Sequence, residues 1–361
     1  MDLSSYLANP GKLPELTLAE WDVLIPEARQ AGVLPRLAEF LRSSAQLERV
    51  PERPRSHVRS AITLAEKHRR DVLYELDRLG ETLRGTIDRI ILLKGAAYVA
   101  ADLPPGRGRV FSDIDILVAR DRLPAIEAVL NLAGWRHGEI SAYDQQYYRR
   151  WMHQIPPLVH FARQAALDVH HSIVPPTARV ALPSAELFTD VVDLPERPGF
   201  ATLSPPDMVL HSAVHLFNEG EFGRGLRDLS DLDLLLRHFG NAVPGFWPAL
   251  LARAAKLDLC RPLFYALRYG QLLLGAPVPG EVARWITQRS PGPARLRMMD
   301  ALFELALRHR RTRARGLRTR TALWLLYVRS HYLKMPLHLL LPHLARKAVS
   351  PAPQYASREA I

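Results

Sequence analysis

The stretch IDRIILLKGAAYVAADLPPGRGRVFSDIDILV, residues 87–118, decides the fold. Residues 87–93 are a short isoleucine-rich run that stops at Lys94-Gly95. The small, helix-compatible AAYVAADL follows, and then PPGRGR, which is loop chemistry. The pattern reads as strand, tight turn, short helix, loop. Residues 111–118 alternate polar and apolar at their start and close in apolar residues, as a half-buried strand does. Side chains alternate across a strand, so Asp113 and Asp115 are expected to share one face while Ile114 and Ile116 enter the core. Two carboxylates so placed repel each other, and Mg2+ held by oxygen ligands, with room left for phosphates, removes the repulsion. Taken alone, a D-x-D pair equally suits an exposed strand end with two solvated acids.

Downstream, residues 123–133 predict a helix stopped by Gly134. Residues 158–161 and 166–173 predict an antiparallel pair of strands separated by ARQA. In the second of these, Asp168 and His170 share a face. If that strand lies beside the Asp113 strand, three carboxylates converge, enough for two metals or for one metal and a general base. His170 serves equally as a structural hydrogen-bond partner. Upstream, Thr17 and Glu20 have the form of a capping box at the start of a helix, Pro26 and Pro35 are expected to divide the stretch to residue 41, and residues 56–83 predict a second helix. Ser204-Pro205-Pro206-Asp207 is a good helix start, and helices dominate from there to about residue 347.

The expected fold is α+β. A helical region over residues 1–83 precedes a core with a small mixed sheet over 84–200, followed by a helical region over 201–347 and a flexible tail over 348–361.

With 361 residues and 48% hydrophobic side chains, the chain can bury a substantial core, which excludes a disulfide-stapled miniprotein and a mostly disordered chain. Cys260 is the one cysteine, so intrachain disulfides and multi-cysteine metal sites are excluded and a reducing, cytoplasmic setting is expected. The start lacks the pattern of a signal peptide. The apolar stretch 321–344 is interrupted by Arg329, His331, Lys334 and Pro336, so no transmembrane segment is expected. Of the net charge of +11, seven surplus charges stand at Arg308, Arg310, Arg311, Arg313, Arg315, Arg318 and Arg320 with no acid between them. This run suits a solvated helix face, RNA phosphates or an anionic lipid surface.

Lys94 is the only lysine between Lys67 and Lys256, and Gly95 lets backbone approach a phosphate closely ahead of a helix. Arg107 and Arg109, just before the acidic pair, suit a triphosphate or simple loop solvation. SDLDLLL at 230–236 copies SDIDILV, but it lies in a helical pattern, where residues two apart point about 200° from each other. Asp228, Asp231 and Asp233 are therefore read as partners of Arg224, Arg227 and Arg237. His211 and His215 stand four apart without the acid of an H-E-x-x-H site and are read as packing residues.

Taken in order, LLKGAAY, GRGRVFSDIDILV, AVLNLAGW and ALDVHHSI resemble the DNA-polymerase-beta-like nucleotidyltransferase superfamily. The likeness is closest to poorly characterised bacterial nucleotidyltransferases that share a leucine-lysine-glycine turn, an arginine before the acidic pair and a later aspartate-x-histidine strand. MVLHSAVHLF and RGLRDLSDLDLLLRHF look like the helical half of that group, so the resemblance spans most of residues 15–300. It implies a metal-dependent enzyme that moves a nucleoside monophosphate from an NTP, with ATP the expected donor, to a hydroxyl of a small molecule, a peptide or protein, or an RNA end, releasing pyrophosphate. Asp113, Asp115 and Asp168 would be the catalytic and metal residues for Mg2+ or Mn2+. Lys94, Gly95, Arg109 and Ser112 would contact the nucleotide. One departure stands out: many members carry serine after the turn glycine, whereas Ala96 and Ala97 follow Gly95 here. The alternative reading is a non-catalytic nucleotide- or RNA-binding module on the same fold.

Overall fold

The structure, a computed structural model, describes residues 2–138, 140–308 and 316–349. Arg310, Arg311, Arg313 and Arg315, and the tail from residue 350, lie outside the described residues, while Arg308 pairs with Asp2 at 2.9 Å.

The chain opens with α1 (Leu3–Ala8), α2 (Leu18–Gln30), α3 (Leu34–Ser43) and the long α4 (Glu52–Leu83). The Thr17–Glu20 capping box forms at the head of α2. Pro26 does not divide this stretch as expected: it sits inside α2. Burial of Trp21, Leu24, Ile25 and Ala28 along one face outweighs the backbone bond that the proline removes. Pro35 does fall at a break, in the first turn of α3.

The core follows as β1 (Ile90–Leu93), α5 (Lys94–Ala100), β2 (Ile114–Leu117), α6 (Leu123–Leu132), β3 (Trp135–His137), α7 (Ala142–Trp151), β4 (Leu158–His160), β5 (Ala166–His170), β6 (Val192–Asp193) and β7 (Phe200–Thr202). These strands make one mixed sheet in the order β3-β4-β5-β2-β1-β7-β6. The β4–β5 pair is antiparallel, as the ARQA connection predicts. Every residue of β1 and β2 is buried, which fits their central place; in the sequences IILL and IDIL, Asp115 is the one charged residue. β2 pairs antiparallel with β1 and parallel with β5, setting Asp115 opposite both Leu93 and Asp168.

The helical half comprises α8 (Pro205–Asn218), α9 (Gly225–Ala242), α10 (Phe246–Lys256), α11 (Cys260–Leu274), α12 (Gly280–Arg289), α13 (Pro293–Leu307), α14 (Leu317–Lys334) and α15 (Leu337–Val349). Phe217, Tyr265, Tyr269 and Phe303 join α8, α11 and α13 through ring contacts of 5.0–6.1 Å. Two arginines tie this half to the rest. Arg36 of α3 bonds Asp231 of α9 at 2.7 Å and the Pro105 carbonyl at 2.9 Å, and Arg253 of α10, which forks onto Asp207 of α8, bonds the Glu186 carbonyl at 2.6 Å. Among the described residues no helix is long and apolar enough to cross a membrane.

Candidate active site

The parallel β2–β5 register carries Asp115 and Asp168 on the same face of adjacent strands. His170, two residues beyond Asp168 and so on that face too, donates through Nε2 to Asp115 Oδ1 at 2.9 Å. Asp115, Asp168 and His170 each offer a ligand atom, and these atoms lie within 4.8 Å of one another. Asp113 stands outside this group. It precedes the first residue of β2, where it accepts from the Ser112 hydroxyl at 2.9 Å, although its charge still bears on Asp168 and Lys94. The two strands named from the sequence do lie side by side, while the cluster draws in His170 and leaves Asp113 on its rim.

Two carboxylates at this separation repel by at least about 3 kcal/mol at an effective dielectric constant near 20. The pair resolves this asymmetrically. Burial works to raise the Asp115 carboxyl, but Lys94 Nζ at 3.1 Å and His170 hold it far below the usual carboxylate range. Asp168, half-buried and bonded by the Gln154 amide at 3.2 Å, is pushed up to about 8 by lost hydration and by the charges of Asp115 and Asp113, against the pull of Lys94. At neutral pH the site without a cation therefore keeps a proton on Asp168.

Lys94 reaches Asp115 because of where the chain turns. It follows Leu93, the register partner of Asp115, and adopts φ +44°, the left-handed region that a side chain rarely enters. That conformation costs about 1–3 kcal/mol, a cost typically concentrated at working sites. Gly95 packs where a Cβ would come 2.7 Å from the Phe111 ring. Ala96 and Ala97 are fully buried, so α5 turns no side chain toward a phosphate at those positions.

Above this turn opens a cavity of about 530 Å3 lined by Lys94, Gly95, Phe111, Asp113 and Asp115 from the core. His215, Glu221, Arg224, Arg227 and Asp228 line it from α8, α9 and the loop joining them. A larger groove of about 670 Å3, between the end of α4 and the start of β1, contains none of the candidate residues, so size does not locate the site.

Arg109 and Ser112 also line the cavity. Arg109 is buried, ion-paired to Asp231 and set over the rings of Tyr98 and Phe111; Arg107 turns away to Asp102 at 2.8 Å. Asp231 thus serves Arg36 and Arg109, while Asp228 pairs with Arg227 and Asp233 with Arg237. Arg224, expected among their partners, instead lines the cavity. Burial, followed by the neighbouring Arg227, lowers Arg109 to about 9 and Arg36 to about 10.

His211 is buried and held neutral, chiefly by loss of water and by Lys94, in keeping with packing. His215 differs from the reading made of it. It stands on the cavity wall with Nδ1 donating to Glu219 Oε2 at 2.6 Å, and the sequence signal for that pairing is the glutamate four residues on.

A family of proteins described as uncharacterised nucleotidyltransferases matches residues 17–275. Neither the curated proteins nor the solved structures hold a significant match to the chain. The match takes in the β2–β5 carboxylates, the Lys94 turn and the α8–α9 wall of the cavity, and the chain belongs to this nucleotidyltransferase family.

Proposed function

We propose that the protein transfers a nucleoside monophosphate from an NTP to a hydroxyl acceptor with Mg2+, in the manner of polymerase-beta-like enzymes, and that ATP is the donor. One observation carries this reading. The Asp115–Asp168 pair sits across a single strand register, at the edge of a cavity whose other wall carries Arg224 and Arg227.

The donor set suits a hard divalent cation. It has two carboxylates, one of them raised by repulsion, and a buried imidazole whose Nδ1 has no partner among the described residues. Asp115 and Asp168 would hold Mg2+, with Asp113 at the rim toward the phosphates and His170 fixing Asp115. Bound there, Mg2+ supplies charge neutralisation for the triphosphate. Lys94 takes a phosphate oxygen as its ammonium is drawn from Asp115. Arg224 and Arg227 receive the outgoing pyrophosphate, with Gly95, Arg109 and Ser112 shaping the floor of the site. Asp168, which would give up its proton when the cation binds, accepts the proton of the attacking hydroxyl.

The test is pyrophosphate release from each of the four NTPs with Mg2+ and cell extract as the source of acceptor, followed by mass analysis of the labelled product. Wild type releases pyrophosphate and labels one class of acceptor, whereas Asp115→Asn and Asp168→Asn do neither. Nucleotide binding that is equal with and without metal, with no turnover on any acceptor, would replace the enzyme by a binding module.

A further inference from the structure

The C-terminal helices α14 and α15 carry their apolar residues on the wrong side for a helix that serves only the core. In α14, Ala322, Leu326 and Ser330 are buried, a narrow stripe of mostly small residues turned to the protein. Leu317, Trp324, Leu325 and Val328 point away and are 40–80% exposed, and Tyr332 beside them is 42% exposed with the Arg179 guanidinium on its ring. At about 100° per residue these five fall within one 100° sector, opposite the buried stripe. Arg318 borders that sector on one side, Arg320 on the other, both exposed. α15, the next helix, exposes Leu337, Leu341 and Leu344, spaced four and three apart and so on one face of it. With Tyr327, these two helices hold nine of the seventeen large apolar side chains exposed among the described residues, which sets them apart from scattered surface leucines.

The charge is as one-sided as the apolar surface. From residue 305 to 358 the sequence holds twelve lysines and arginines and no acid; the rest of the chain holds 36 bases against 37 acids. The whole net charge of +11 therefore belongs to this segment, and of its twelve bases Arg318, Arg320, Arg329, Lys334 and Arg346 stand on the described helices. The surface is anchored to the catalytic body. Thr177 bonds the Lys334 carbonyl at 2.8 Å, Lys334 reaches the Glu219 carbonyl at 3.2 Å, and Arg329 bonds the Phe217 carbonyl at 2.6 Å.

We infer that the outer face of α14 and α15 docks on an anionic lipid bilayer, lying in the headgroup plane without crossing it. An apolar sector bordered by arginines, with tryptophan and tyrosine among its exposed rings, is the chemistry of an interfacial helix. Charge complementarity selects the occupant. A second copy would bring an equally basic face against this one. RNA would answer the arginines but leave Leu317, Leu325, Val328 and Leu341 with nothing to cover them. Acidic headgroups over acyl chains answer both.

The experiment is flotation of the full-length protein with phosphatidylcholine vesicles, with and without phosphatidylglycerol, together with tryptophan emission. Wild type should float with the anionic vesicles, at least about tenfold more than with the neutral ones, and lose this in high salt. Leu317→Gln with Val328→Gln, both exposed, should lower the bound fraction about tenfold at unchanged Tm, and Arg318→Gln with Arg320→Gln should lower it severalfold. A blue shift on binding should disappear in Trp324→Phe. Failure of wild type to float with anionic vesicles overturns the inference. So does a concentration-dependent dimer that Leu317→Gln and Val328→Gln abolish, or RNA binding that needs these apolar residues.

Discussion

At the scale of single residues, Asp168 holds the sharpest expectation. Its carboxyl moves from an ordinary 3.8 to about 8 on folding, because ionising it costs water and sets it against Asp115. A group raised on folding favours the folded state fully below its unfolded pKa, and that contribution is lost as pH climbs through about 8. Asp168→Asn should therefore raise the Tm of the protein in EDTA, little at pH 4 and most at pH 9, while abolishing turnover. A Tm gain that does not grow with pH would remove the carboxylate repulsion from the account. Asp113, Asp115 and Asp168 are all visible in the sequence, because two-residue periodicity assigns faces. That periodicity does not say where a strand begins, and β2 starts one residue after Asp113, so the loop conformation rather than the strand places its carboxyl. The Lys94 backbone was not legible either: nothing in LLKGAA announces a lysine at φ +44°.

At the scale of elements, α9 does two jobs, bracing Arg36 and Arg109 through Asp231 and presenting Arg227 near its start to the cavity. Arg224→Ala should raise the KM for NTP about tenfold and leave Tm within a few degrees, since it loses one charge-assisted contact to phosphate, whereas Arg227→Ala should also lower Tm because it strands the Asp228 carboxylate. Steady-state kinetics over NTP concentration would check this, and an unchanged KM would take the triphosphate away from α9. Asp231→Ala should instead lower Tm, because it strands two buried guanidinium groups at a cost of about 3–5 kcal/mol. Gly108 marks where the loop before β2 passes α3, with φ +58° and space so tight that a Cβ would come 2.6 Å from the Pro35 carbonyl. Gly108→Ala should destabilise by about 1–3 kcal/mol, measured as a shift of the denaturation midpoint. The sequence marks the helical nature of α9 by its leucine spacing and so sets SDLDLLL apart from SDIDILV. It does not say that Arg36, almost two hundred residues away, completes the network, because such a contact leaves no local pattern. β3, β6 and β7 are two or three residues long, too short for alternation to register.

At the scale of the whole molecule, the cavity wall draws on the core and on the α8–α9 region, with α3 bracing both through Arg36. Occupancy should then stabilise the entire chain. Saturating NTP with Mg2+ should raise Tm, in proportion to about 2.7 kcal/mol at a hundred times Kd, and the rise should vanish in Asp115→Asn. Differential scanning fluorimetry reads both, and a rise that survives in Asp115→Asn would place the nucleotide elsewhere. The α+β class and the helical flanks follow from patterns in the sequence. The outward stripe on α14 does not, because a helix apolar on two sides looks merely hydrophobic until packing shows which side is taken. The shared dependence on Asp231 has a further consequence for biosynthesis. During translation Arg36 and Arg109 leave the ribosome more than a hundred residues ahead of their common counter-ion, so a nascent chain that has already completed its sheet still lacks the finished pocket. The site proposed for the nucleotide is thereby incomplete until residue 231 has been made.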